Sequence, residues 1–163
     1  MFKQIFLPLI GVALFITFVG LLNQNKLNFL VPKSAPVAGS KMIKINDIEI
    51  SVEVAKTNDE RAKGLSNRTS LADKSGMVFV FNKDTKPVFW MKDTKIPLDM
   101  IWINDDKITK IDFNVQPEPN VADNRLKRYS APSATDYVLE VNGGFSEKNG
   151  IKAGQTISGL EQL

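Results

Sequence analysis

The side chains able to do chemistry here are few, and most of them gather around one run, FWMKDTKIPLDMIWI at residues 89–103. The chain contains no cysteine and no histidine. A thiol nucleophile, a Ser-His-Asp triad, a disulfide, a zinc site on Cys or His and a His-ligated haem are therefore excluded. Acid–base work falls to carboxylates, lysine or tyrosine. A metal would have to be a hard cation on oxygen ligands. No cofactor is expected.

Asp99 and Asp112 are the first candidates, with Asp93 and Glu140 as the other acids. A hairpin looped at Asp105-Asp106 sets Ile103 against Ile108, Ile101 against Lys110 and Asp99 against Asp112. Leu98, Met100, Trp102, Ile111 and Phe113 would then share one apolar face. Directly opposed acids raise one pKa or draw a cation between them. The pair is thus a weak candidate for metal ligation or for paired-carboxylate catalysis. The plainer alternative is that Asp99 caps a turn after Pro97-Leu98, or pairs with Arg61 or Arg68.

Arg61 and Arg68 offer planar forks suited to carboxylate or phosphate. Beside Lys92, Thr94 and Lys95 they could hold an anionic group. The structural alternative buries one of them on Glu140 or Asp99. Phe89, Trp90, Met91 and Trp102 either line an apolar cleft for a ring or peptide, or are simply core.

The positioning elements follow from pattern. MIKINDIEISVEV alternates around Asn46-Asp47, predicting a hairpin with Ile45 facing Ile48, Ile43 facing Ile50 and Lys44 facing Glu49. Thr57 and Glu60 form a capping box at the start of a short helix that Gly64 and Asn67 limit. Strands are expected at 76–81, 87–91, 98–103, 108–113 and 137–141, with a last one near 155–158. FSEKNG suits one helical turn ended by Gly150. Residues 116–135 are rich in Pro and charge and show no periodicity. A loop of that kind usually has a function or moves. Its basic cluster, Arg125, Lys127 and Arg128, reads as a solvated patch. Short strands with close turn signals and brief helices predict an all-β domain, sandwich or barrel-like, with one or two short helices.

The first forty residues differ in kind. Ile5 to Leu22 is eighteen residues without a charge, close to what spans a bilayer core. The run is long for a signal peptide and no small-x-small site directly follows it. Residues 1–22 are therefore read as a signal anchor in preference to a cleaved signal peptide, 23–40 as a linker, and 41–163 as one domain. With only four residues ahead of the run, the domain is expected on the outer side of the membrane. Lys3, Lys26 and Lys33 supply the whole net charge of +3, which leaves 21 − 3 = 18 basic against 18 acidic residues in 41–163. No basic face follows, and nucleic-acid binding is disfavoured.

One resemblance rests on quoted motifs: Arg61-x-x-Gly64-Leu65-x-x-Arg68, Gly76-Met77-x-Phe79-x-Phe81, Phe89-Trp90-Met91-Lys92-x-Thr94-x-Ile96-Pro97-Leu98-Asp99, Tyr137-x-Leu139-Glu140 and Gly150-Ile151-Lys152-x-Gly154. Over about residues 52–157 the chain resembles the DUF192 family of domains of unknown function. The resemblance implies a compact, mainly β domain, often behind a signal peptide or anchor, and implies no activity. Ser66 stands where the family usually has Met, and Asp93 where it usually has Asn.

Together these features read as a membrane-anchored, exported β-domain at the cell envelope that binds a small ligand or a partner protein and performs no chemistry. The alternatives are a carboxylate-dependent, glycosidase-like hydrolase and a structural interaction module presenting residues 116–135.

Overall fold

The computed structural model describes residues 39–163. The expected anchor (1–22) and nearly all of the linker (23–40) lie outside the described residues. Among the described residues no helix is long and apolar enough to cross a membrane.

Isoleucine alternation around a tight turn makes the first hairpin. β1 (Lys41–Ile45) and β2 (Ile48–Ala55) pair antiparallel, with Ile45 opposite Ile48, Ile43 opposite Ile50 and Lys44 opposite Glu49, as the pattern predicts. Asn46 takes φ 52, a conformation that Asn tolerates at such turns. Next comes α1 (Asn58–Lys63), opened by the expected capping box between Thr57 and Glu60. It lies on the crossover to β3 (Ser75–Val80), which therefore pairs parallel to β2. That parallel step was not expected; residues 64–74 carry no strand signal that would reveal it.

β4 (Val88–Phe89) is only two residues long, shorter than the expected 87–91. β5 (Leu98–Asn104) and β6 (Lys107–Val115) form the second hairpin. β7 (Tyr129–Ser130), β8 (Tyr137–Asn142), α2 (Phe145–Lys148) and β9 (Ile157–Ser158) complete the order. The main sheet runs β6-β5-β8-β3-β2-β1-β9, and β4 with β7 makes a separate ribbon. A bridge between Lys107 and Thr156 brings the two ends of the main sheet together, so the sheet curls.

The curl buries both faces of its central strands. Ile43, Ile50, Val78, Ile101, Leu139 and Val141 fill the inside. Met77, Phe79, Met100, Trp102 and Val138 point outward against a second layer that includes Leu65, Met91, Ile96 and Tyr129. Strands buried on both faces read as continuous apolar runs, which explains GMVFVF and LDMIWI.

The 116–135 segment is not structureless. Residues 123–125 make a 3-10 turn, Tyr129 and Ser130 pair with Phe89 and Val88, and Leu126, Tyr129 and Thr135 are buried.

Candidate functional site

The second hairpin departs from its expected register, and the departure removes the acid pair. The two-residue loop is as expected: Asp105 and Asp106 both take positive φ, and Ile103 faces Ile108. Thr109 is then an extra residue. Its hydroxyl donates to the Trp102 carbonyl at 3.2 Å, and beyond it Trp102 faces Lys110, Ile101 faces Ile111 and Met100 faces Asp112. This one-residue bulge moves residues 110–112 to the opposite face, and a second shift between Met100 and Leu98 brings Val115 back against Leu98. Ile111 therefore shares the inner face with Ile101, and Phe113 is exposed.

Asp99 points inward, and the bulge carries Asp112 away from it to the outer face beside Met100. Asp99 is fully buried, and its carboxylate accepts three backbone N–H groups, from Asn114 (2.7 Å), Gly144 (2.9 Å) and Ser146 (2.7 Å). It thus ties the end of β6 to the start of α2, the capping role weighed above. Asp112 accepts from the Trp102 indole at 2.8 Å and pairs with Lys110 at 3.0 Å. The two acids do not share a cation site, and among the described residues no group of three or more acids is placed to hold a metal.

The arginines also differ from expectation. Arg68 makes a bidentate pair with Glu53, its second contact 2.8 Å long, and neither Asp99 nor Glu140 is involved. That hydrogen-bonded fork holds the Glu53 carboxyl below its usual range. Arg61 donates to the carbonyls of Lys56 and Val80 and to the Asn58 amide oxygen, and lies over the Phe81 ring at 5.2 Å. It pins α1 to the end of β3.

A cleft of about 310 Å³ opens between α1, the outer face of β3 and β8, and the segment 85–94. Among its lining side chains are Arg61, Trp90, Lys92, Thr94 and Glu140. Five of the nine sequence candidates thus meet in one place. Arg68, Asp99 and Asp112 lie elsewhere. Asp93 lines a smaller neighbouring hollow of about 210 Å³ with Lys92, Thr94 and Lys95.

Aromatic rings make the cleft wall. Phe89 packs edge-on against Phe79 (4.9 Å between centroids), Phe81 (6.1 Å) and Trp102 (5.5 Å). Trp102 and Met91 are core, whereas Trp90 is 45% exposed and carries the Arg128 guanidinium 4.2 Å above its ring. The basic cluster is therefore partly stacked, not merely solvated. Gly64 ends α1 with φ 45 and ψ −134, which favours glycine, and an added Cβ would lie 3.2 Å from the Phe79 ring. Phe79, Phe81 and Gly64 were not among the candidates, although the spacing of Phe79 and Phe81 puts both rings on one face of β3.

Glu140 sits at the base of this wall. It lies between Met77 on β3 and Met100 on β5, and only 5% of it is exposed. Among the described residues no hydrogen bond or ion pair reaches its carboxyl. Burial alone pushes its pKa from 4.5 up to about 8, so it carries its proton at neutral pH.

The sequence profile of the DUF192 family, described as an uncharacterized ACR, matches residues 41–159. The crystal structure of a protein of unknown function from Novosphingobium aromaticivorans is 34% identical, with a TM-score of 0.65, covering 76% of this chain and 89% of that one. The crystal structure of a proposed transcription regulator from Sinorhizobium meliloti is 28% identical, also with a TM-score of 0.65, covering 73% of this chain and 92% of that one. No curated protein matches the chain.

Proposed function

We propose, from the premise that this chain belongs to the DUF192 family, that its domain is a ligand-binding module whose site is the aromatic cleft above Glu140. The carrying observation is Glu140 itself: a largely buried acid that borders a cleft of about 310 Å³ and makes no side-chain hydrogen bond or ion pair among the described residues. Burying a polar group unpaired is costly, and a ligand placed there would give it a partner. Pockets of roughly this size and apolar character, with few polar groups, typically hold small molecules.

The apolar run Ile5–Leu22 supports anchoring in a membrane, with the domain on the outer side as an accessory module of the envelope. The hydrolase alternative needs two carboxyls either about 5–5.5 Å or about 6.5–9.5 Å apart in an open groove. Asp99 and Asp112 are on opposite faces and engaged, and Glu140 is the one acid lining the cleft. The interaction-module alternative loses its freely presented loop, since 116–135 is tied down by Leu126, Tyr129 and Thr135. The balanced charge of residues 41–163 gives no support for nucleic-acid binding by this chain.

A thermal-shift screen of the full-length chain against organic acids, amines, saccharides, peptides and divalent metals tests the proposal. At least one organic class should raise Tm in the parent and in Asp99→Asn, and lose its effect in Phe89→Ala. A response indifferent to Phe89→Ala, or none from any class, overturns it. A reporter fused at the C terminus should signal from outside the cytoplasm; a cytoplasmic signal contradicts the placement.

A further inference from the structure

The charges around the cleft indicate which chemistry it selects. Among the lining residues Glu140 is the sole acid, against Arg61 and Lys63 from α1 and Lys92 from the segment after β4. Every oxygen that Arg61 binds belongs to a neutral group, two carbonyls and one amide; its charge also reaches Glu60, which the Lys56 and Thr57 N–H groups hold outside the cleft lining. Lys63 makes no ion pair among the described residues, although its charge reaches Glu53. Lys92 is held by Asp123. Three cations thus line the cleft against one acid, and among the described residues no side-chain hydrogen bond or ion pair reaches the Glu140 carboxyl at its base.

Burial is what raises the Glu140 pKa. Its neighbours on β3 and β5 are Met77 and Met100. The next acid in that row, Asp112, is two strands away, about 10 Å by strand spacing, and is already engaged by Lys110 and Trp102. An acid so placed offers an O–H donor in place of a negative charge. A cationic ligand would have to pass Arg61 and Lys63 and then ionise a carboxyl that its surroundings keep neutral.

We infer that the cleft takes a compact organic acid: a single apolar ring against Phe89 and Trp90, an anionic group at the Arg61–Lys63 rim, and a carbonyl oxygen at its inner end that accepts a hydrogen bond from the Glu140 carboxylic acid. The size agrees, since about 150 Å³ is enough for benzene and the cleft has about 310 Å³. This inference rests on the cleft being a binding site, and the test separates the two.

The probes are 4-acetylbenzoate, its acceptor-free analogue 4-ethylbenzoate, and benzylamine, each titrated calorimetrically into the full-length chain between pH 6 and 9. Acetylbenzoate should bind about tenfold tighter than ethylbenzoate, the scale of one hydrogen bond to a buried group. Its affinity should be level to about pH 8 and then fall, approaching tenfold per pH unit. Glu140→Gln, whose amide also donates, should keep binding within about threefold and abolish that fall. Equal affinity for the two benzoates overturns the inference. So does tighter binding of benzylamine, strengthening up to pH 8 and lost in Glu140→Gln; both results leave the cleft as a binding site. Binding by none of the three, in the parent and in Glu140→Gln alike, overturns the organic-acid inference, and the wider screen above then decides the cleft.

Discussion

Asp99 and Glu140 are neighbours across β5 and β8, one register step apart, yet their carboxyls serve opposite ends. Asp99 faces Val141 on the inner side of the curled sheet, while Met100 faces Glu140 on the outer side. Three backbone N–H groups converge on Asp99. Glu140 makes no side-chain hydrogen bond or ion pair among the described residues and borders the cleft. The strand pleat alone separates the structural acid from the one left available.

Asp99→Asn should therefore destabilise without altering the cleft. An amide keeps one acceptor oxygen and turns an NH2 toward N–H donors, leaving buried groups unsatisfied. The expected loss is about 2–4 kcal/mol in denaturant unfolding, with the ligand response preserved. A loss of response while the domain stays folded would place Asp99 in the site.

Glu140→Gln should do the reverse to stability. The folded pKa of Glu140, about 8, lies above the 4.5 of the exposed group. The folded state therefore binds more protons than the unfolded state between those values, and stability falls as pH rises from 4.5 to 8, then levels. At pH 7 the cost is on the order of 3 kcal/mol. Relative to the parent, Glu140→Gln should gain stability on going from pH 4 to pH 7, by about that amount. An unchanged difference between the two pH values would mean that Glu140 titrates normally.

Gly64→Ala should narrow the cleft. The backbone there is strained for any residue with a Cβ, and the new methyl would press on the Phe79 ring. A stability loss of about 1–2 kcal/mol is expected, with weaker binding of ring-shaped probes. Wild-type affinity in Gly64→Ala would show that ligands do not enter beside Phe79.

Arg68→Ala should leave the domain folded. The pair with Glu53 is about 30% exposed on each side and lies outside the cleft. Loss of at most about 1 kcal/mol is expected for such a pair, and no change in binding. Outright unfolding, read by far-ultraviolet circular dichroism, would contradict that role.

Local signals were legible and long-range ones were not. Alternation together with the Asn46-Asp47 turn gave the first hairpin its full register, and Thr57 with Glu60 marked the helix start. The second hairpin showed its loop but hid its bulge, because Thr109 and Lys110 are both polar and either can sit opposite Trp102 without disturbing the pattern. That single residue created a false Asp99–Asp112 pair. The parallel pairing of β2 with β3 had no local mark, since the crossover is long and mostly irregular. Leu126 and Tyr129, which fasten 116–135 to the core, were masked by surrounding prolines and charges. Glu140 was recognisable as a candidate, because it interrupts an apolar strand. Its lack of a partner was not, since that depends on Met77 and Met100 occupying the adjacent strands.

The cleft is tested most directly by a backbone-amide NMR map of the full-length chain during titration with 4-acetylbenzoate. Gly64, Phe79, Phe89, Trp90 and Glu140 should shift together and saturate along one binding curve. Saturable changes confined instead to the groove that Asp112, Gln116, Glu118 and Lys127 line, or shifts that never saturate, would contradict the assignment of the cleft as the site for this class of ligand.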